Sequence, residues 1–258
     1  MKSFWEDTAA VSMRIASAPK LLVTLDFDGT LATLEETPEQ VRLEPQFKSA
    51  LRALASLYNV SVFILSGRAL KNICKLVGLL NLYYGGNHGI EIKGPAFAWR
   101  DTEAAKVSNL VARIATNMQE RFPPATGVLV ENKTFSASVH YRNLKAKYRQ
   151  RFFSRMKILM SAQDGLIHWR RGYKVFELLP QRATHKGNAL NLLSKKLGNP
   201  LGIAVGDDLT DEDMFMALAK KGITIRVGKK ADSKAEYFLS GQKEVLRLLH
   251  FIISVRRR

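Results

Sequence analysis

The chain has 258 residues, of which 46% are hydrophobic and 24% are charged. These values exclude a disordered, collagen-like or coiled-coil protein, and no apolar run approaches the roughly 20 residues that span a bilayer. The net charge of +17 leaves two classes of partner open, nucleic acids and small anions such as phosphates. A single cysteine, Cys74, and the lack of a signal-peptide pattern lead us to expect a cytoplasmic protein without membrane contacts.

Two apolar runs near the N-terminus predict buried parallel strands at residues 21–27 and 60–65. Between them, residues 45–58 carry apolar side chains at steps of three and four, which is typical of one helical face. A strand, a helix and a second strand in this order predict a parallel pair joined by a right-handed crossover.

The C-terminal third repeats this alternation. Helices and strands are predicted at 184–197, 202–205, 210–221 and 223–227. Thr210 and Asp213 have the spacing of a capping box at the start of a helix. Together with the N-terminal elements, these segments predict an α/β fold with a doubly wound parallel sheet as its core.

The middle of the chain has a different pattern. A helix at 103–122, a hairpin at 127–141, a basic helix at 145–161 and two strands within 167–179 do not alternate as a parallel sheet requires. Residues 93–180 hold 16 basic and 6 acidic residues, so the excess positive charge is concentrated there. We therefore predict an inserted α+β cap domain at 93–180 and a core formed by 1–92 and 181–258.

The strongest chemical motif is Asp26-Phe27-Asp28-Gly29, which follows the first predicted strand. Because residues i and i+2 of a strand point the same way, the carboxylates of Asp26 and Asp28 converge at its carboxyl end. Open α/β sheets bind ligands at this edge. Two carboxylates buried together need a proton or a cation, and Mg²⁺ bound by oxygen meets that need.

A second acidic group, Asp207-Asp208, follows the strand predicted at 202–205. The two carboxylates should lie beside the first acidic pair, so we predict Asp207 as a further metal ligand. For Asp208, a ligand and a helix cap are equally good interpretations. Asp211 and the acids after it lie in the first turn of a helix, where the dipole alone favours negative charge.

Ser66-Gly67-Arg68 ends the second predicted strand, where a hydroxyl and a turn of backbone N–H groups suit a phosphate oxygen. Taken alone, Ser-Gly is also typical of an ordinary turn. Lys186 lies in the first turn of a predicted helix, where the dipole disfavours a cation. A nearby anion would explain it, since an ammonium offers a point charge to phosphate.

These residues together predict magnesium-assisted phosphoryl transfer. Asp26 would attack phosphorus and form an aspartyl-phosphate, while Asp28 would protonate the leaving oxygen and then activate water. Mg²⁺, Lys186 and Ser66 would neutralise charge on the phosphoryl oxygens. The sequence has neither a Walker loop nor the Gly-rich loop of kinases, which disfavours an ATP-dependent kinase.

The ordered motifs DFDGTL, Ser-Gly-Arg, a later lysine and GDDLTDED resemble those of the haloacid dehalogenase (HAD) superfamily of phosphatases. This resemblance implies a HAD-like core with an inserted cap. It also implies that Asp26 is the nucleophile and Asp28 the acid and base. Mg²⁺ would be held by Asp26, by the backbone of Asp28 and by Asp207, with Asp208 or Asp211 as nearby support.

The middle segment resembles the cap of trehalose-6-phosphate phosphatases, on the motifs VENK, VHYR and KVFE. The turn Gly-Asn-His-Gly and the motif DDLTDEDMF are also similar to motifs of that family. In the family, cap residues of these motifs hold sugar hydroxyls and phosphate. The substrate-binding residues that we predict are Gly67, Arg68, Asn87, His88, Glu131, Lys133, Arg142, Lys174, Glu177 and Asp208.

We therefore expect a monomeric, Mg²⁺-dependent phosphatase whose partner is a small-molecule sugar phosphate, trehalose 6-phosphate. Phe27, Thr134 and His185 depart from the residues that are common in the family. These departures leave open another sugar phosphate of the glucosylglycerol-phosphate or sucrose-phosphate type. A non-catalytic sensor of sugar phosphates is disfavoured because Asp26 and Lys186 are present. The more distant alternative is a basic nucleic-acid-binding module, but we expect no nucleic-acid partner.

Overall fold

A computed structural model describes residues 1–35, 37–95, 97–161, 165–172 and 174–257. The chain divides into two compact units. We call Met1–Trp99 with Thr184–Arg258 the core unit, and Arg100–Ala183 the inserted unit. The sequence placed the first boundary at Lys93, but the strand that follows Lys93 pairs within the sheet of the core unit.

The strands are, in chain order, β1 (Lys2–Ser3), β2 (Leu21–Leu25), β3 (Val60–Leu65), β4 (Tyr83–Gly86), β5 (Glu91–Gly94), β6 (Phe97–Arg100), β7 (Leu129–Asn132), β8 (Ala137–His140), β9 (Ile167–Gly172), β10 (Val175–Pro180), β11 (Leu201–Gly206), β12 (Ile223–Val227) and β13 (Tyr237–Leu239). The α-helices are α1 (Thr8–Ser17), α2 (Pro45–Ala55), α3 (Leu70–Val77), α4 (Thr102–Arg121), α5 (Arg149–Ser161), α6 (Lys186–Lys196), α7 (Glu212–Leu218) and α8 (Lys243–Arg256).

The core unit is built on one sheet with the strand order β1-β13-β12-β11-β2-β3-β4-β5-β6. The strands from β1 to β4 in this order are parallel, and β5 runs antiparallel to β4. On one side of β2 the chain adds β3 and β4. On the other side it adds β11, β12 and β13. Such a reversal of strand order creates a crevice at the carboxyl ends of the strands. The predicted α/β fold is confirmed.

The sheet is buried on both faces because its side chains alternate between two apolar layers. In β2, Leu21, Val23 and Leu25 pack with residues of α1, α2, α3 and α8. Leu22 faces the other layer, which holds residues of α6 and α7. This alternation explains why β2 reads in the sequence as a continuous apolar run.

The inserted unit has an antiparallel sheet with the order β7-β8-β10-β9. Val139 and Phe176 are paired in register and pack with Phe122 and Phe152 of the α4 and α5 region. The neighbouring pairs in register point to the opposite face. That opposite face carries the polar residues of the β7, β8 and β10 motifs.

The start of α7 differs from the sequence-based prediction. The capping box before α7 is formed by Asp208 and Asp211, not by Thr210 and Asp213. The helix therefore begins with a short 3-10 turn at Leu209–Asp211.

Over the described ranges, no helix combines the length and the apolar character that crossing a bilayer requires.

Replacing Gly127 by alanine should destabilise the inserted unit. Gly127 has a φ of +85°, and a Cβ there would lie 1.8 Å from the carbonyl oxygen of Asn143. Gly165 is a matched control, because its φ is +73° and a Cβ would have no atom within 4 Å. Both substitutions meet the left-handed penalty of about 1 kcal/mol, but only Gly127→Ala also forces backbone to move.

Hydrogen exchange of peptides from 100–183 under native conditions measures this difference. We expect faster exchange in Gly127→Ala than in Gly165→Ala. Equal protection in the two variants would contradict the contact.

Candidate active site

A buried lysine joins two carboxylates at the carboxyl edge of the core sheet. Lys186 is the first residue of α6, and its Nζ lies 2.5 Å from Oδ1 of Asp26 and 2.7 Å from Oδ1 of Asp211. The three side chains are almost fully buried, with Asp211 completely inaccessible. The cation at the start of α6, which is unfavourable against the helix dipole, is therefore stabilised by two anions.

Asp26 is positioned by the strand that precedes it. Its backbone N–H donates to the carbonyl oxygen of Val205 at 2.9 Å, which fixes the end of β2 against β11. Asp207 follows β11 by one residue. One oxygen each from Asp26, Asp207 and Asp211 lies within 4.8 Å of the others. The sequence-based expectation that Asp26 and Asp207 meet at one sheet edge is thus met in the structure.

The balance of charge in this cluster favours a cation. Burial raises the pKa of Asp26 well above its ordinary value, even though the Lys186 ammonium opposes the shift. Burial and the Asp211 carboxylate raise the pKa of Asp207 to about 7. Burial also opposes the charged form of Lys186, but Asp211 and Asp26 outweigh it and raise the pKa of Lys186. One ammonium does not neutralise three carboxylates, so oxygen ligands are held ready for a hard divalent ion.

Gly29 allows the loop after β2, which carries Asp26, to approach the loop after β11, which carries Asp207. It has a φ of +87°, and a Cβ at this position would lie 2.3 Å from Oδ2 of Asp207. A side chain here would push the Asp207 carboxylate away from Asp26. Thr30, the next residue, donates its hydroxyl to Oδ1 of Asp207 at 3.1 Å and holds that carboxylate in place.

The carboxylate of Asp28 is bound by Arg68. The Nε of Arg68 lies 2.8 Å from Oδ2 of Asp28, and a terminal nitrogen lies 2.6 Å from Oδ1. The guanidinium also donates to the carbonyl oxygen of Pro38 and to Asn72. Arg68, a predicted substrate-binding residue, has its side chain on Asp28 in the structure.

The Ser66-Gly67 turn lies at the end of β3, which pairs directly with β2. Ser66 is buried, and its Oγ accepts a hydrogen bond from the backbone N–H of Arg68 at 3.1 Å. Its carbonyl oxygen accepts from the N–H of His88 at 3.0 Å. A Cβ on Gly67 would lie 2.6 Å from Cε1 of His88. Asn87 is also bound here, since its N–H donates to the carbonyl oxygen of Arg68.

Asp211 and Arg226, which belongs to β12, hold the acidic loop that follows β11, Asp207–Asp211. Oδ2 of Asp211 accepts hydrogen bonds from the backbone N–H groups of Asp207 and Asp208, both at 2.9 Å. Asp211 therefore caps the helix and binds Lys186 at the same time. The buried Arg226 donates to the carbonyl oxygens of Asp207 and Asp208 and to Glu212. Asp208 itself is exposed and acts as a cap.

The sequence held a signal for Asp211 that we interpreted as capping alone. Its spacing from Asp207 and Asp208 is that of a side chain folding back onto both backbones. Arg226 gave no such signal, because it lies inside the apolar run of β12, where an arginine without a motif around it suggests only an edge of the sheet.

Within the inserted unit, two of the predicted residues share the polar face of the sheet. Glu131 and Glu177 both pair in register with Ser138, one from each side. Glu131 lies 3.6 Å from Nε2 of His140 and 3.9 Å from Nζ of Lys133. Two carboxylates on neighbouring strands offer hydrogen-bond acceptors to a ligand that carries several hydroxyls.

Arg142 and Lys174 are two further predicted residues of the inserted unit. Both line a cavity beside Tyr141 and Phe153. Tyr141 and Phe153 belong to the apolar cluster between the sheet and the helices.

Comparison with known proteins identifies the chain's relatives. Residues 24–243 match the family model described as trehalose-phosphatase. A protein of Oryza sativa subsp. japonica named probable trehalose-phosphate phosphatase 4 is 30% identical over 267 aligned residues, which cover 99% of this chain and 71% of that protein. The trehalose-phosphate phosphatase of Mycobacterium leprae is 34% identical over 206 residues, or 76% of this chain and 47% of that protein.

Solved structures share the fold. The C-terminal domain of the C. albicans trehalose-6-phosphate phosphatase has a TM-score of 0.81 at 21% identity, covering 98% of this chain and 99% of that chain. A trehalose-6-phosphate phosphatase related protein has a TM-score of 0.77 at 22% identity, covering 92% and 100%. At these identities the likeness shows the fold alone.

The acidic cluster makes stability depend on pH in a direction that can be measured without a metal. Because the pKa of Asp207 is near 7 in the folded state and near 4 when unfolded, the folded state holds an extra proton between these values. Stability should therefore fall as the pH rises from about 4 to about 7. The Asp207→Asn variant should lack this loss.

Thermal melting in chelator at pH 5 and pH 8 measures the effect. Asp207→Asn should melt higher than the wild type at pH 8, and the difference should shrink at pH 5. Asp232→Asn, at an exposed carboxylate, is the control and should follow the wild type at both values. A pH-independent difference for Asp207→Asn would refute the electrostatic explanation.

Proposed function

Because this chain belongs to the trehalose-phosphatase family, we propose that it hydrolyses trehalose 6-phosphate to trehalose and inorganic phosphate. The observation that carries the proposal is the buried cluster in which Lys186 holds Asp26 beside Asp207 and Asp211. Lys186 lies beside the Asp26 carboxylate and offsets part of the cost of burying its charge, which suits attack on phosphorus. Relatives named for this activity align with most of the chain.

Mg²⁺ fits the donor set, because carboxylate oxygens from separate loops converge within one ion's reach. Asp26 and Asp207 would hold it through their side chains, with the backbone of Asp28 as a third source of oxygen. When bound, it supplies positive charge that offsets the repulsion between phosphate and carboxylates. The remaining steps are carried by side chains of the protein.

In the first step, an oxygen of Asp26 attacks phosphorus, and the bond from phosphorus to the sugar oxygen breaks. Asp28 gives its proton to the departing sugar oxygen. Lys186 contributes positive charge beside Asp26 and the phosphoryl oxygens. In the structure Arg68 binds both oxygens of the Asp28 carboxylate, so the proton transfer requires Asp28 to leave this contact.

In the second step, Asp28 accepts a proton from water as the water oxygen attacks phosphorus. The bond between phosphorus and Asp26 breaks, which releases phosphate and restores the Asp26 carboxylate. The same group thus acts as an acid and then as a base, which leaves Asp28 protonated for the next cycle.

The choice of sugar is proposed to rest on the polar face of the inserted unit. Glu131 and Glu177 flank Ser138 in register, and Arg170 lies 3.2 Å from Glu177 and fixes its carboxylate. Paired acceptors that must each find a hydroxyl discriminate against ligands that lack one. A disaccharide phosphate would satisfy both.

A panel of phosphate esters tests the substrate and the nucleophile together. The wild type should release phosphate from trehalose 6-phosphate faster than from sucrose 6-phosphate, glucosylglycerol phosphate or glucose 6-phosphate. Asp26→Asn should lose about a thousand-fold or more in kcat, because the covalent step is removed. Asp232→Asn is the matched control at an exposed position.

The outcomes separate the claims. Wild-type turnover by Asp26→Asn would overturn the nucleophile. A faster reaction with another ester would keep the chemistry but replace the substrate.

Glu131→Gln should weaken binding of the sugar and leave the phosphoryl-transfer steps unchanged. We expect the KM for trehalose 6-phosphate to rise about ten-fold, the loss of roughly one charge-assisted hydrogen bond, while hydrolysis of p-nitrophenyl phosphate stays unchanged. Glu120→Gln, at an exposed position on α4, is the control. Equal losses on both substrates in Glu131→Gln would show that Glu131 acts on structure or on chemistry instead.

A further inference from the structure

A buried arginine near the carboxyl end of β12 contacts the loop that carries the predicted metal ligand Asp207. Arg226 pairs in register with Gly206, the last residue of β11, so its side chain starts beside the loop Asp207–Asp211. We propose that Arg226 is a positioning residue, which sets the affinity of the site for Mg²⁺ by fixing the main chain of Asp207. This inference rests on the proposed function, because it concerns the metal that the proposed reaction uses.

The two peptide units that flank Asp207 are both held by side chains. The carbonyl oxygen of Asp207 accepts a hydrogen bond from a terminal nitrogen of Arg226. The N–H groups of Asp207 and Asp208 donate to Oδ2 of Asp211, both at 2.9 Å. Because a peptide unit is planar, holding the units on either side of Asp207 leaves little freedom in its φ and ψ. The direction of its side chain is therefore fixed from the main chain.

Arg226 is itself fixed by a carboxylate. Its other terminal nitrogen donates to the carbonyl oxygen of Asp208 at 3.1 Å and to Oε1 of Glu212 at 2.9 Å. Oε2 of Glu212 accepts a hydrogen bond from the backbone N–H of Lys234 at 2.7 Å. The side chains of Arg226 and Glu212 are only 8% and 12% exposed, so water competes little for these hydrogen bonds. Since the donors of a guanidinium form a rigid planar fork, Glu212 orients the nitrogen that binds Asp207 as well.

The carboxylate of Asp207 depends on this main-chain position. Thr30 donates to Oδ1 of Asp207 at 3.1 Å, and a Cβ on Gly29 would collide with Oδ2. The main chain has to stay in place for an oxygen of Asp207 to lie within 4.8 Å of oxygens from Asp26 and Asp211. Groups that orient metal ligands without touching the metal typically change its affinity about 10–100-fold when they are replaced.

Charge and position make opposite predictions for this arginine. A cation near a metal site repels the metal, so an effect of charge alone would make Mg²⁺ bind more tightly when the guanidinium is removed. The ion pair with Glu212 offsets much of that repulsion. An effect of position makes Mg²⁺ bind more weakly, because the carboxylate oxygens are then less well placed. The direction of the change separates the two explanations.

Thermal melting of the purified full chain, titrated with MgCl₂ after treatment with chelator and dialysis, measures Mg²⁺ affinity without turnover. Arg226→Gln should raise the apparent Kd for Mg²⁺ about ten-fold or more. Arg226→Lys keeps the charge but lacks the planar fork, and it should raise the Kd by a smaller factor.

Arg256→Gln is the matched control. Arg256 also donates to two main-chain carbonyl oxygens, those of Ile15 and Ala18. These residues precede β2, whereas Asp26 follows its end, so the contact lies at the opposite end of that strand. Arg256→Gln should lower the melting temperature in chelator and leave the Kd for Mg²⁺ within about two-fold of the wild type, because it loses stability without disturbing metal ligands.

Hydrolysis of p-nitrophenyl phosphate gives a second readout. The Mg²⁺ concentration at half-maximal rate should rise with the Kd in both Arg226 variants and not in Arg256→Gln. A lower melting temperature in chelator with an unchanged Kd would overturn the proposal, since Arg226 would then act on stability alone. Tighter binding of Mg²⁺ by Arg226→Gln would overturn it in favour of charge. If Arg226→Gln does not fold, Arg226→Lys decides, and a wild-type Kd in that variant overturns the proposal.

The wild type separates this inference from the proposed function. A wild type that binds no Mg²⁺ overturns both the role of Arg226 and the proposed metal. A wild type that binds Mg²⁺ but does not hydrolyse trehalose 6-phosphate overturns the proposed substrate alone. In that case the change of Kd in the Arg226 variants still decides whether Arg226 positions the metal ligand.

Discussion

The contact on which the structure depends is the buried ammonium of Lys186 between Asp26 and Asp211. It joins three segments that are far apart in the chain, the end of β2, the loop after β11 and the first turn of α6. Taking these charges out of water is costly, and removing one partner of a buried pair costs about 3–5 kcal/mol because a charge is left unpaired. The three segments are therefore held in one arrangement, in which Lys186 binds the carboxylates of Asp26 and Asp211.

The surrounding features follow from that contact. One oxygen of Asp211 binds Lys186. Its other oxygen accepts hydrogen bonds from the backbone N–H groups of Asp207 and Asp208. Arg226 donates hydrogen bonds to two main-chain carbonyl oxygens of the same loop, those of Asp207 and Asp208. The side chain of Asp207 lies beside Gly29, and one of its oxygens is within 4.8 Å of an oxygen of Asp26. The acidic loop is thus held by its main chain, which leaves carboxylate oxygens available for a metal ion.

Much of the fold and part of the site could be predicted from the sequence. Apolar runs gave the parallel strands, because β2 is buried on both faces, and the resemblance drawn from the motifs is confirmed by the family to which the chain belongs. The meeting of Asp26 and Asp207 followed from strand ends sharing an edge. The partner of Arg68 did not follow, since a guanidinium reaches several residues in any direction and the sequence does not fix its rotamer. Arg226 was missed because its ligands are main-chain carbonyl oxygens, which every residue has.

The position of Lys186 as the first residue of α6 constrains the length of the chain more than its composition. An α-helix turns by about 100° per residue, so one residue added or removed between Lys186 and the buried Ala189 and Leu190 of the same helix would swing its ammonium away from both carboxylates. The loops within the inserted unit are under no such restriction, since their ends need only meet the sheet that carries them. Changes of chain length should therefore accumulate within that unit and be rare in the first turn of α6, where the angular position of Lys186 relative to the packed face of the helix is fixed.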